Sequence, residues 1–372
     1  MERTLNVAVL PSSEIFLNGA IFEKNKHRDD CLFFFRLFKE LGLKEGFNVR
    51  TVDHFLPGDI DVLVFYRFDL NVHKILKLIG SNKRVKLVHV MHEPSTVVPF
   101  HILKIIEGLP FDLQYILNDD VAEKSSTVNK ICYGVTPILI NDIPHVEFKN
   151  KKFITTISGS KSSGSAGELY SERERAIIYF ANMRTGFDLY GMGWEKCNSE
   201  EIIKTYRGSV NDKKDTLKNY KFTLCFENTK GVRGYITEKI FDCFSAGSVP
   251  IYYGAPNIDK YIPKECYVDF RDFETYDVLY DFLYTMSESQ YNKYLDAAKN
   301  FIESDDYSSV NAIGYVDTLV KGLVEIGNKE VCRSVLGFRF RLLAGVFVNC
   351  VFYFKNFKKM RRYIFELMVP TQ

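Results

Sequence analysis

The sequence predicts an α/β protein of two doubly wound, parallel-sheet domains facing a cleft, followed by a basic amphipathic helical tail. Three observations predict it. Short apolar runs alternate with helix-like stretches through residues 1–150, the pattern of strands joined by crossover helices. A polar, lysine-rich stretch, His145–Lys152, precedes a second α/β set that begins at Phe153–Ile157. Within that set, Phe222–Gly254 reads strand, loop, helix, strand, a βαβ unit whose two strands are parallel. Domains are expected at 1–150 and 151–330, with the tail at 331–372.

Taken in order, Leu5–Leu10 is strand-like, and Asp29 and Asp30 precede an apolar-rich helix, Cys31–Leu41, closed by Gly42. Asn48–Val52, Val62–Phe65 and Val85–Met91 read as buried strands, with Tyr115–Leu117 and a run near Ile138 completing the first set. In the second set Phe222–Phe226 has strand length and composition. Apolar residues at Ile240, Phe241, Phe244 and Ala246 share one face of a helix, Gly247 stops it, and Ser248–Tyr253 is a second buried strand. Asp277–Met286 and Tyr291–Ile302 carry the spacing of helices that cover a sheet.

Ligands on parallel sheets bind at the carboxyl ends of the strands, which here means the loop Glu227–Gly234 and the helix start that follows. Thr237 is a candidate N-cap and places Glu238 and Lys239 in the first turn. A glutamate suits the positive end of the helix dipole; a lysine does not, unless an anion shares the free N–H groups there. The alternative is a solvated Glu–Lys pair on an ordinary surface helix.

The three segments Phe226-Glu-Asn-Thr, Gly234-Tyr-Ile-Thr-Glu-Lys-Ile and Val249-Pro-Ile-Tyr-Tyr-Gly-Ala-Pro together resemble the signature of the α-1,3-fucosyltransferases, glycosyltransferase family 10, and most of all its bacterial members. The resemblance implies the GT-B arrangement of two Rossmann-like domains. It implies GDP-fucose as donor, with Lys239 on the diphosphate, Glu238 on the ribose, and Tyr235 and Asn228 at the nucleotide. It also implies a diphosphate arginine a few residues before an aromatic pair and upstream of a Tyr-Gly turn. Arg175, ahead of Tyr179-Phe180 with Tyr190-Gly191 downstream, fits that pattern best; Arg173, offset by two, stays open.

Val90-Met-His-Glu-Pro-Ser puts Glu93 at the carboxyl end of a strand, where a partly desolvated carboxylate suits a general base. The family's proposed base occupies a similar turn; a glutamate that merely caps the turn is the alternative, and His92 is the neighbouring candidate. Asp59-Ile-Asp61 matches the metal-binding Asp-x-Asp of many sugar transferases, but it lies at the entry of a strand and is read as structural. Lys239 and an arginine supply positive charge instead, so no divalent metal is expected to be essential. The loop Ser158–Gly167 is rich in glycine and serine but lacks the terminal Gly-Lys-Ser/Thr of a P-loop.

A formal net charge of +2 over 372 residues argues against a nucleic-acid protein. Eight cysteines without CxxC or Cys/His ligand spacing point to small core residues in a reducing compartment. Met1-Glu-Arg-Thr leads straight into a strand, with no signal peptide or N-terminal anchor expected. Arg333–Arg362 mixes Leu342, Phe347 and Phe352 with Arg339, Lys355 and Lys358, and its uncharged run is too short to span a bilayer. Such a segment lies on an anionic membrane surface, or alternatively packs on the protein or a partner. The expectation is therefore an inverting fucosyltransferase, cytoplasmic and peripheral on the inner face of the membrane, acting on an N-acetylglucosamine-containing glycan.

Overall fold

The structure, a computed structural model, describes residues 4–24, 30–66, 68–98, 109–327 and 329–338. The chain forms two compact units, one from residues 1–24, 32–131 and 313–372, the other from 25–31 and 132–312.

The first unit holds a six-stranded parallel sheet of β1 (Leu5–Leu10), β2 (Phe47–Thr51), β3 (Val62–Phe65), β4 (Lys86–Met91), β5 (Leu113–Ile116) and β6 (Val128–Lys130), in the order β2-β1-β3-β4-β5-β6. Every residue of β3, β4 and β5 is buried, which is why these runs read as continuous apolar stretches. Ala8, Leu63, Phe65, Leu76, Ile79 and Leu87 pack one face of this sheet against the helix Phe68–Ser81. The first helix spans Phe33–Lys44, so Gly42 lies inside it rather than closing it. A Cβ on Gly42 would stand 2.9 Å from Val49 Cγ2, so the small residue serves close packing of helix on strand. The chain turns instead at Gly46, with φ +77°.

The second unit holds a five-stranded parallel sheet of β7 (Lys152–Ile157), β8 (Phe187–Tyr190), β9 (Tyr220–Phe226), β10 (Val249–Tyr253) and β11 (Val268–Asp269), in the order β11-β10-β9-β7-β8. The predicted βαβ unit is present: β9 and β10 pair in parallel, Phe222 with Val249 and Phe226 with Tyr253, around the helix Glu238–Ala246. Its C-cap Gly247 is left-handed, φ 64°, as read from the sequence. The two covering helices are Tyr276–Thr285 and Glu288–Ile302, the latter opened by a Ser287/Gln290 capping box.

The expected breaks at 150 and 330 fall elsewhere, because side-chain packing divides the chain differently from composition. The run near Ile138 is no strand of the first sheet. Tyr133, Ile138, Ile140 and Ile143 pack on the second unit's cluster of Ile240, Phe244 and Phe301, so the chain changes unit at 131/132. The helix Ala312–Gly327 returns to the first unit: Tyr315, Leu319 and Leu323 are fully buried, and the Tyr115 hydroxyl donates to Thr318 O at 3.1 Å. The start of the supposed tail is likewise part of that core. Arg333 donates to Pro110 O at 2.7 Å and pairs with Asp112, whose carboxylate also accepts the Leu87 N–H at 2.7 Å. Phe338 is 3% exposed in the same cluster. The remainder of Arg333–Arg362 lies outside the described residues. Among the described residues no helix is long and apolar enough to cross a membrane.

Candidate active site

At the carboxyl end of β9 the sequence passes from Phe226 to Glu227, whose side chain is completely buried. A buried carboxylate must be compensated. Glu227 Oε1 accepts the Thr237 N–H at 2.8 Å, and Oε2 accepts the Thr237 hydroxyl at 2.8 Å and Lys239 Nζ at 2.9 Å. Thr237 therefore sits at the N-cap position, but its hydroxyl faces Glu227 and makes no cap bond of its own. Lys239, unexplained as a dipole partner, is explained as the counter-ion of Glu227. Its ammonium also reaches the Thr237 hydroxyl at 2.9 Å and keeps 24% side-chain exposure. Burial works against the Lys239 charge, yet Glu227 and Glu238 outweigh it and raise its pKa. Burial likewise opposes the Glu238 charge, but Lys239 and Lys213 override it and hold that carboxyl well below the usual range.

Gly254, just after β10, makes this packing possible. A Cβ there would stand 2.5 Å from the Tyr252 hydroxyl and 2.6 Å from Glu227 Cγ. The Tyr252 hydroxyl in turn accepts the Ala255 N–H at 3.0 Å. The sequence motif Tyr-Tyr-Gly-Ala is thus the floor beneath Glu227.

Of the two arginines, Arg173 is the one that packs at the end of β9. On the helix Tyr170–Ala181 it is 5% exposed, and its Nη2 donates to Phe226 O at 2.7 Å and Glu227 O at 3.0 Å. Burial lowers its pKa, a loss partly offset by Tyr170 and Glu227. Arg175, favoured by the motif spacing, lies on the outer face with 66% side-chain exposure and pairs with Glu172. Two residues along a helix is a turn of about 200°, so only one of the pair reaches the strand end.

Of the other expected residues, Asn228 and Tyr235 come together, Asn228 Nδ2 donating to the Tyr235 hydroxyl at 3.2 Å, and Tyr235 is 2% exposed. Glu227, Arg173, Asn228, Tyr235, Glu238 and Lys239 therefore form one constellation in the second unit. Glu227 was missed as a site residue because its neighbours in sequence read as a polar loop. The signal was available: a carboxylate immediately after an apolar strand, twelve residues before an unexplained lysine.

In the first unit Glu93 stands two residues past the end of β4 and is half-buried beside a turn where Pro94 O accepts the N–H of Val97 and of Val98 at 2.9 Å each. His92 is placed differently. Its ring lies among Phe34, Tyr66 and Tyr315, and its Nε2 stands 3.2 Å from the Tyr315 hydroxyl. Asp61 accepts the Asn6 N–H at 2.9 Å and Asp59 O accepts Asn6 Nδ2 at 2.8 Å, bonds that tie the start of β3 to β1. Among the described residues no group of three or more His, Cys, Asp or Glu side chains is arranged to hold a metal ion.

Known proteins resemble this chain in sequence and in fold. Residues 149–319 match the family model for the glycosyltransferase family 10 (fucosyltransferase) C-terminal domain. The chain is 40% identical over 95 residues to an alpha-(1,3)-fucosyltransferase of Helicobacter pylori, covering 26% of this chain and 20% of that protein. It is 36% identical over 98 residues to the mouse 4-galactosyl-N-acetylglucosaminide 3-alpha-L-fucosyltransferase 9, covering 25% and 27%. These alignments span only about a fifth to a quarter of those relatives. In fold, the chain superposes on a crystal structure of an alpha1,3-fucosyltransferase with GDP-fucose at TM-score 0.52 and 16% identity, over 90% of this chain and 94% of that one. A DNA-modifying beta-glucosyltransferase shares the fold at TM-score 0.54 and 12% identity, over 86% of this chain and 99% of that one. Residues 149–319, the stretch that carries Arg173, Glu227 and Lys239, are thus similar to the C-terminal domain of glycosyltransferase family 10, the fucosyltransferases.

Proposed function

We propose that the protein transfers L-fucose from GDP-β-L-fucose to a hydroxyl of an N-acetylglucosamine-containing glycan, with inversion, giving an α-1,3 linkage. The observation that carries the reading is the Arg173–Glu227–Lys239 constellation at the carboxyl end of β9 and the N-terminus of the following helix. A lysine held by the buried Glu227 carboxylate and an arginine held by the Phe226 and Glu227 backbone carbonyls are cations preorganised for a nucleoside diphosphate, and donors fixed where charge develops on a leaving group act most strongly in its departure. In this reading Lys239 and Arg173, in place of Arg175, face the diphosphate. Glu238, kept ionised by its lysine neighbours, accepts hydrogen bonds from the ribose hydroxyls. Asn228 and Tyr235 line the nucleotide. The positive side chains supply the charge that a metal ion supplies elsewhere, so no essential divalent metal is proposed. Glu93, two residues past the end of β4, takes the proton from the acceptor hydroxyl.

The acceptor class is supported by the name of the mouse relative, which acts on a galactosyl-N-acetylglucosaminide. A cytoplasmic, membrane-peripheral location through the basic C-terminal segment belongs to the same proposal. The direct test is incubation with GDP-fucose and a glycan array, read by mass spectrometry and linkage analysis. Fucose added at O3 of N-acetylglucosamine supports the reading. Transfer of another sugar, or of none across an array that includes such acceptors, refutes it.

A further inference from the structure

A cavity lies away from the constellation just described. It measures about 390 Å³ and is bounded by Lys152, Tyr190 and Tyr220 on the sheet and by the segment 211–219. Lys152 and Tyr220 sit at the start of β7 and β9, the opposite end of the sheet from Glu227. Its size falls within the range of small-molecule sites, roughly 300–1,000 Å³.

Its lining is unusual for a site of that size in having no aliphatic side chain. An apolar ligand has nothing to pack on. Charge is balanced within the protein. Lys152 Nζ binds Asp188 Oδ2 at 2.9 Å, and the same carboxylate takes Arg207 Nε at 2.7 Å and the Tyr220 hydroxyl at 2.7 Å. These partners hold the Asp188 carboxyl low against the opposing effect of burial. Asp215 pairs with Lys218 at 2.8 Å, and Asp212 accepts the Asp215 N–H at 2.9 Å. No excess charge is left to select a phosphate or a cation.

Beside its internally paired charges the cavity offers amide and hydroxyl groups next to two phenol rings. Asn219 Nδ2 is engaged by Asp215 O at 2.9 Å, which turns its amide oxygen to a set direction. The Tyr190 and Tyr220 hydroxyls stand 2.9 Å apart with ring planes at 75°. Donors and acceptors in alternation, aromatic edges and no net charge match a ligand that carries many hydroxyls and no charge. We propose that this cavity is a second, non-catalytic sugar-binding subsite for an uncharged glycan segment. The ligand class comes from the cavity alone; only the choice of probe rests on the function proposed above.

The experiment uses the full chain and an N-acetyllactosamine oligomer, observed by saturation-transfer NMR. Asn211 and Asn219 are both exposed, so Asn211→Trp, which fills the cavity, and Asn219→Ala, which removes an acceptor, spare the core. Sugar signals that each variant weakens at least about fivefold, with GDP binding unchanged, support the subsite. Signals equal in parent and variants, or absent in the parent for the oligomer and for its component monosaccharides, overturn it. Transfer from GDP-fucose is assayed separately on the same samples. A chain that transfers no fucose yet loses sugar signals in both variants sinks the proposed function and leaves the subsite standing. A chain that transfers fucose with identical signals in parent and variants does the reverse.

Discussion

At the scale of single residues, the site rests on who neutralises whom. Lys239 is held by Glu227, so Lys239→Ala removes a cation from the anion site and leaves a completely buried carboxylate with one charge partner fewer. GDP affinity, measured by calorimetry, should fall by about 10–100-fold, the effect of one or two charge-assisted bonds; unchanged affinity would place the nucleotide elsewhere. The two arginines give a sharper contrast. Arg173→Ala should weaken GDP binding and lower the melting temperature, whereas Arg175→Ala, which breaks only an exposed pair with Glu172, should do neither. The reverse result would restore the motif-based choice of Arg175. Glu93→Gln retains shape and hydrogen bonding but removes the base. Turnover should drop by roughly 10²–10⁴-fold with GDP affinity intact, and a loss of only a few-fold would move the base to another group. Glu238 and Lys239 stood out in the sequence because strand, loop and helix follow one another without a gap, and Tyr235 and Asn228 through the resemblance of their motif. Arg173 and Glu227 did not, since which face of a helix turns inward and which loop residue is buried are settled by packing.

At the scale of elements, the helix Glu238–Ala246 is clamped at both ends. Its N-terminus is held through Thr237 to Glu227; its C-terminus ends on Gly247, whose carbonyl accepts Lys151 Nζ at 2.8 Å and the Tyr291 hydroxyl at 3.1 Å. Lys151 is 7% exposed and its second bond is to another carbonyl, Lys218 O at 2.7 Å, so burial pushes its pKa down to about 8. The sign follows from proton counting. Between pH 8 and the ordinary lysine value of about 10.4 the unfolded chain holds a proton that the folded chain has released, so this group makes stability rise with pH there. Denaturant titrations at pH 8 and 10 should show that rise in the parent and a smaller one in Lys151→Met; equal slopes would mean the lysine is not desolvated in solution. Gly254→Ala is the matching test at the other end of β10. The added methyl meets Glu227 Cγ and the Tyr252 hydroxyl, and overpacking of this kind costs about 1–3 kcal/mol. Lower stability together with weaker GDP binding is expected, while loss of stability alone would uncouple the glycine from the site. Strands buried on both faces, such as β3 and β4, were plain in the sequence. The two-residue β11 and the three-residue β6 were not, because runs so short carry no periodicity.

At the scale of the whole molecule, sequence order and spatial order part company. Composition suggested cuts at 150 and 330, but the segment after Ile131 and the helix Ala312–Gly327 cross over by packing, which composition does not report. A truncation after Gly327 removes Arg333, whose guanidinium satisfies Pro110 O and Asp112, and Phe338, buried beside Phe111. It should therefore lower the melting temperature measurably, whereas a chain ending after Phe338 should keep it; equal stability of the two would show that this docking contributes nothing. The crossing has a further consequence for how the protein is made. Residues 132–312 are continuous, so the second unit has its whole sequence at hand as soon as Ala312 leaves the ribosome. The first unit, begun earlier in synthesis, must wait with its Tyr115 and Leu113 edge uncovered until Gly322 and its helix arrive, since Gly322 is where that edge packs. The nascent chain thus exposes a finished sheet face for the time needed to translate about 190 further residues, at roughly 5–20 residues per second, and that half, though first out, is the one that needs shielding by chaperones.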